Sequence, residues 1–223
     1  MENNAPFVIT IGRQLGSSGR LLGQQVAKKF NVAYYDKVVL SQAAEDTGLG
    51  RNMFHHDNER KGFLRQFIGA VQPFVGGGDF YSNHQLTEEN LFTLQSGVIQ
   101  RVAAERSCVI VGRAADYILR QHPRCVKIFV TANHEDRVRR VMDQKKVDYK
   151  NAVKLINHVD NQRSSYYNFH TNNTWGNAET YDLCVNISAL GPDATLDFIT
   201  DFVCKKLQIE LPESVAPSIP EVF

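Results

Sequence analysis

The sequence predicts an α/β fold, a parallel sheet with helices on both faces, and three observations carry that prediction. Short apolar runs recur at Phe7-Val8-Ile9-Thr10-Ile11, Cys108-Val109-Ile110-Val111 and Val126-Lys127-Ile128-Phe129-Val130, as strands buried on both faces require. Segments with helical spacing separate them. Polar clusters follow the predicted strands directly, at residues 12–20, at Asp36-Lys37 and at Gly112-Arg113, and in open α/β sheets ligands bind beyond the carboxyl ends of the strands.

Taken in order, the first strand stops at Gly12 and leads through a Gly/Ser segment into residues 21–30, which have helical spacing. Residues 31–35 give a second short strand, and 38–44 begin a helical stretch that ends near Gly48 and Gly50. Residues 51–87 mix Phe54, Phe63, Phe67, Phe74 and Phe80 with Gly76-Gly77-Gly78, which predicts helices with a mobile loop. From 87 to 106 the spacing of Leu91, Leu94, Val98 and Val102 predicts an amphipathic helix with Thr87 as its cap. Residues 115–119 make one or two helical turns between the 108–111 and 126–130 strands. A charged helix over 135–145, a helix over 151–159, a strand over 183–187 and a closing helix over 194–207 complete the pattern, with Pro212, Pro217 and Pro220 marking an extended tail. No internal repeat is visible.

Composition narrows the function classes. The 223 residues are 43% hydrophobic and 22% charged, which describes one globular domain. A net charge of +1 excludes a protein that grips nucleic acid through a global positive field. The longest apolar runs are far too short to span a bilayer, and Met1-Glu2-Asn3-Asn4 lacks the basic and apolar regions of a signal peptide; the expectation is a cytoplasmic protein with no membrane partner. Cys108, Cys125, Cys184 and Cys204 are scattered without a CxxC pair and read as reduced core thiols. The seven histidines lack metal-ligand spacing, and adjacent His55 and His56 would point to different faces of a helix.

The segment Gly12-Arg13-Gln14-Leu15-Gly16-Ser17-Ser18-Gly19-Arg20 places glycines where backbone N–H groups can turn inward around phosphate oxygens, just before a helix N-terminus. A strict P-loop reads GxxxxGK followed by Ser or Thr. Here Gln14 stands at the first glycine, Arg20 at the lysine and Leu21 at the hydroxyl residue. The Arg20 guanidinium can still neutralise phosphate. The usual magnesium ligand is missing, which leaves Ser17, Ser18 or a water-mediated contact.

In the second half, Val109-Ile110-Val111-Gly112-Arg113, then Val126-Lys127-Ile128-Phe129-Val130-Thr131-Ala132, then Glu135-Asp136-Arg137-Val138-Arg139-Arg140 resemble bacterial cytidylate kinases in both content and spacing. Upstream, Ile9-Thr10-Ile11 with Gly16-Ser17-Ser18-Gly19-Arg20 and Tyr34-Tyr35-Asp36-Lys37 resembles the cytidylate kinase-like subgroup, in which arginine commonly replaces the P-loop lysine. The resemblance runs from residue 7 to about 205. It implies a P-loop NTPase-type sheet in a single kinase-like domain, with residues 38–107 as a helical acceptor-binding insert, 146–178 as a lid region and 208–223 as an extended tail. It implies phosphoryl transfer from ATP, with Mg²⁺, to CMP, dCMP or a related phosphorylated small molecule. Arg13, Gly16, Ser17, Ser18, Gly19, Arg20 and Leu21 would hold the donor. Asp36, Lys37, Arg113, Asp116, Arg137, Asp160 and Tyr167 would hold the acceptor. Arg20, Arg113 and Arg163 would be catalytic, Arg163 as the lid arginine of the family's Asp-x-x-Arg element, which Asp160-Asn161-Gln162-Arg163 matches. The following Ser164-Ser165-Tyr166-Tyr167 and Asn172 to Gly176 suit a mobile cover, and Trp175 is either packing or a base-stacking platform.

Two departures stand out: the aspartate after Gly-Arg is Ala114, with Asp116 the nearest carboxylate, and residues 38–107 show no match to the cytidine-reading segment. A binding protein that keeps the anion pocket without turnover is therefore a rival reading. An interaction module using 137–146 as a basic strip is a third, weakened by the interspersed Glu135, Asp136 and Asp143. On that helix Arg137, Arg139 and Arg140 read chiefly as a solvated face.

Overall fold

The structure is a computed structural model that describes residues 5–37, 39–40 and 88–212. Its strands are β1 (Val8–Arg13), β2 (Ala33–Tyr35), β3 (Cys108–Val111), β4 (Cys125–Thr131) and β5 (Leu183–Asn186). They form one five-stranded parallel sheet in the order β2-β3-β1-β4-β5. The helices are α1 (Gly19–Phe30), α2 (Glu88–Glu105), α3 (Ala115–Ile118), α4 (His134–Lys145), α5 (Tyr149–Thr171), α6 (Ile187–Leu190) and α7 (Pro192–Leu207). The order places β1 at the centre, flanked by β3 and β4, where chain connections leave in opposite directions. That is the position at which a crevice opens beyond the carboxyl ends of the strands.

Alternation along the strands sorts the core into two layers. Ile9, Ile11, Val109, Val111, Val126, Ile128 and Val130 face Leu22, Val26 and Phe30 of α1 and Leu196, Ile199 and Val203 of α7. Val8, Cys108 and Ile110 face Val98, Ile99, Val102 and Ala103 of α2 and Ala115 and Ile118 of α3. Each fully buried aliphatic side chain contributes roughly 1.5–3 kcal/mol, so this sandwich gives the strand ends a rigid base. Gly23 lets α1 lie directly on the sheet, because a Cβ there would stand 2.8 Å from Val111 Cγ2.

A third, smaller cluster matters more for function. Val138 and Val141 of α4 pack on Ala152 and Ile156 of α5, and Leu15 of the loop after β1 joins them. The α4–α5 hairpin is thereby seated on that loop.

The predicted strands and helices appear close to their expected bounds, with one structural correction. The polar stretch after Asp160 is helix, not loop: α5 begins at its cap Asp148, whose side chain accepts from Asn151 N at 2.8 Å, and ends at left-handed Asn172. Neither glycine nor proline interrupts the run between them, so backbone propensity overrides the polar composition. Trp175 packs edge-on against Phe129 at 5.4 Å, in the packing role. Cys184, expected in the core, is exposed on the edge strand β5. The helical expectation beyond residue 40, the aromatic segment 51–87 with His55 and His56, the Thr87 cap, Pro217 and Pro220 lie outside the described residues, as do much of the 38–107 segment and most of the tail. No described helix is long and apolar enough to cross a membrane.

Candidate phosphate-binding site

The loop from β1 to α1 is held by its carbonyls. Arg163 Nη1 donates to Arg13 O at 3.1 Å, Arg137 Nε to Leu15 O at 2.8 Å and Arg140 Nη1 to Gly16 O at 2.9 Å. Ser17 Oγ donates to Gln14 O at 2.9 Å. The N–H groups of Gln14, Leu15 and Ser17 are taken by Val130 O, Asp160 and Gln14 O, which leaves those of Gly16 and of residues 18–21 to meet an anion. At the start of α1 the first-turn N–H groups have no intrahelical acceptor. Ser18 gives no side-chain cap and the turn carries no acid, so the helix dipole there is open to an anion.

The missing P-loop glycine has a local explanation. The left-handed residues of the loop are Gly16 at φ 77° and Ser18 at φ 59°, and Gln14 is not among them. Gln14 is tied to the end of β4 instead: its N–H donates to Val130 O at 3.2 Å and its Oε1 accepts from Thr131 Oγ1. Gly16 is required twice over, because a Cβ would also stand 2.7 Å from Arg137 O on the backbone of α4.

Asp160 is the hub of this arrangement. Its carboxylate accepts from Leu15 N at 2.8 Å and from Arg137 Nη2, and lies 3.7 Å from Arg163 Nη1. Asp160 and Arg163, three apart on α5, share one face, as do Arg137 and Arg140 on α4. The expected solvated face of α4 is therefore corrected at two positions. The Arg137 side chain is only 8% exposed, whereas Arg139 is open to solvent beside Asp136. Sequence reading placed Asp160 and Arg137 with the acceptor; in the structure both contact the loop between β1 and α1. Arg163 also docks on that loop, where burial lowers its pKa and Asp160 opposes the shift.

Arg20 stands at the mouth, its side chain 67% exposed, in an ion pair with Asp36 at 2.7 Å. The pair, led by Asp36, raises the Arg20 pKa. Asp36 also accepts from Val39 N at 3.2 Å and so caps the turn after β2. Beside it Lys37 is pushed down to about 8, by burial first and then by Arg113. Arg113 follows β3 in a run of left-handed residues, Gly112 at φ 80°, Arg113 at 60° and Ala114 at 51°. Non-glycine residues hold such angles only where the surroundings impose them, and such strain concentrates at functional sites. Gln95 of α2 imposes part of it, bonding Arg113 O at 3.3 Å and Tyr166 OH at 2.9 Å, and the Arg113 guanidinium lies 5.7 Å from the centre of the Tyr166 ring. Burial lowers the Arg113 pKa and Tyr166 opposes it.

Other expected positions fall elsewhere. Tyr167 donates to Asp116 at 2.6 Å, both residues are buried, and burial raises the pKa of each; they are occupied with each other. Leu21 is 55% exposed and offers only its backbone N–H. Burial pushes the Cys108 and Cys125 thiols up to about 12, which removes them as nucleophiles. For ATP the donor set fits a polyphosphate: inward amides, an open helix terminus and surrounding arginines. For Mg²⁺ the protein ligands reduce to Ser18 Oγ or water-mediated contacts, since residue 21 has no side-chain oxygen, Ser17 Oγ is turned to Gln14 O, and the described residues hold no cluster of three acidic, His or Cys side chains.

Comparison with known proteins adds the decisive observation: a profile of the cytidylate kinase-like family matches residues 8–189. The chain belongs to the cytidylate kinase-like family. An uncharacterized protein from Eubacterium ventriosum is 26% identical with a TM-score of 0.67, over 88% of this chain and 98% of that one. Shikimate kinase from Bacteroides thetaiotaomicron, at 15% identity, superposes with a TM-score of 0.51 over 91% and 99%. Shikimate kinase from Acinetobacter baumannii, in complex with shikimate, is 12% identical with a TM-score of 0.50 over 92% and 96%. No curated protein matches. The P-loop kinase fold of this family member is thus shared with shikimate kinases. In this cytidylate kinase-like chain, sequence reading missed Arg140, Gln14 and Gln95. Only Arg140 left a signal, its three-residue spacing from Arg137.

Proposed function

We propose that the protein is a phosphotransferase that moves the γ-phosphoryl of ATP to a phosphorylated small acceptor, of which CMP and dCMP are the first candidates. The observation that carries the reading is the loop whose carbonyls are taken by Arg163, Arg137 and Arg140, set beside a second group of cations, Arg113 and Lys37, at the ends of the neighbouring strands. In transfer, an acceptor phosphate oxygen attacks the γ-phosphorus, the bond to the β,γ-bridging oxygen breaks, and its electron pair leaves on ADP. A phosphate oxygen is already anionic at neutral pH and needs no general base, so positioning and charge dispersal are what the protein must supply. The loop amides and Arg20 hold the donor, Arg113 and Lys37 the acceptor phosphate, and Arg163 stabilises the moving group from α5. ATP supplies the phosphoryl group, and Mg²⁺ travels with its phosphates. The four free cysteines fit a reducing, cytoplasmic setting.

A binding protein with little turnover is the second reading, favoured by Leu21 and by the ion pair that draws Arg20 toward Asp36. The two readings share the donor site, which Arg20→Ala tests. Loss of one charge-assisted contact, roughly 1.5–3 kcal/mol, weakens ATP binding about ten- to a hundredfold by calorimetry. The melting temperature should hardly change, because the side chain is mostly exposed. Unchanged ATP affinity would remove Arg20 from the donor site.

A further inference from the structure

Arg13 is the last residue of the central strand β1, and two glycines make room for its side chain. A Cβ on Gly19 would stand 2.6 Å from Arg13 Cβ, and a Cβ on Gly112 would overlap Arg13 Nη1. Gly19 and Gly112 had both read as parts of anion-binding clusters, yet in the folded chain they admit a guanidinium. Among the described residues no hydrogen bond or ion pair holds that guanidinium. Its pKa is pushed down to about 9, by burial first, then by Arg163, with Arg113 adding to the effect. Tyr34, with a larger effect than Arg113, and Asp36 act in the other direction, and the Asp36 carboxylate is engaged by Arg20 at 2.7 Å. Arg13 as a whole is half-buried, and a partly desolvated cation among like charges is stabilised when an anion completes it. Its backbone begins the donor loop, while its guanidinium lies over Gly112 beside the proposed acceptor cation Arg113. A group contacting it would stand between donor and acceptor.

We infer that Arg13 binds the terminal phosphate of the nucleotide donor, the group that faces the acceptor, sharing its charge with Arg163 and Arg113. Arg20, paired with Asp36 at the mouth, then serves the inner phosphates, and the task of the absent P-loop lysine is divided between two arginines. This rests on the kinase reading above.

The test compares ATP and ADP binding by calorimetry in the wild type, in Arg13→Met, which keeps the stem and removes the charge, and in Gly112→Ala, which displaces the guanidinium without removing it. Expected is a loss of ATP affinity of roughly ten- to a hundredfold in both variants with a much smaller loss for ADP. The melting temperature of nucleotide-free Arg13→Met should equal or exceed that of the wild type, because a burdensome charge has gone. Equal losses for ATP and ADP, or no loss, would overturn the assignment. So would a markedly lower nucleotide-free melting temperature in Arg13→Met, which would make Arg13 a structural residue. Failure of the wild type to bind either nucleotide would instead remove the kinase reading, and this inference with it.

Discussion

Asp160→Ala is expected to destabilise the protein by about 3–5 kcal/mol, the cost of removing one partner from a buried ion pair. The Arg137 side chain is 8% exposed and its guanidinium bonds Asp160 and Leu15 O; without the carboxylate it is left as an uncompensated buried charge. Leu15 N loses its acceptor at the same time. For a chain of this size such a loss lowers the melting temperature by on the order of 10 °C. ATP affinity should fall with it, since the carbonyls that orient the loop are held by arginines that Asp160 positions. Combining Asp160→Leu with Arg137→Met should recover much of the stability and none of the binding. A loss below about 1 kcal/mol in thermal or urea unfolding would show that α5 does not hold the loop.

The second large effect is expected at Gly16. Alanine there must adopt φ 77°, which costs roughly 1–2 kcal/mol. Its Cβ also meets Arg137 O at 2.7 Å and Arg137 Cα at 3.0 Å. These are backbone atoms of α4 that cannot rotate aside, so the loop and the α4–α5 hairpin must separate, and ATP binding should become undetectable at concentrations that saturate the wild type. Gly191→Ala is the control: φ is 79° but nothing lies within 4 Å of the new Cβ, so only the backbone cost remains and binding should persist. Matching behaviour of the two variants would mean that the contact with α4 is unimportant.

Both predictions depend on contacts that no local pattern announces. The sheet was legible because strands such as Cys108–Val111 are buried on both faces and read as unbroken apolar runs, and the loop because its glycines follow a strand and precede a helix. Asp36, Lys37 and Arg113 were legible as polar residues at strand ends. Arg137 was legible only through the family motif: a helix with alternating charges looks solvated until the loop it covers is known, and Leu15 lies 122 positions away in sequence. The bond between Tyr167 and Asp116 was not legible for the same reason, since a tyrosine and a carboxylate in a polar segment say nothing about whether they will bond each other. Gly19 and Gly112 were legible as members of polar clusters at strand ends, but not as the glycines that admit the chain's own Arg13.

The most direct test of the central claim is ADP release from ATP in the presence of Mg²⁺, measured with no acceptor, with a panel of nucleoside monophosphates and other phosphorylated small molecules, and with neutral hydroxyl acceptors such as uncharged sugars and polyols. The account predicts release that depends on a phosphorylated acceptor and disappears in Gly16→Ala. Release driven by a neutral hydroxyl compound but by no phosphorylated one would contradict it, because Arg113 and Lys37 would then have no anion to hold.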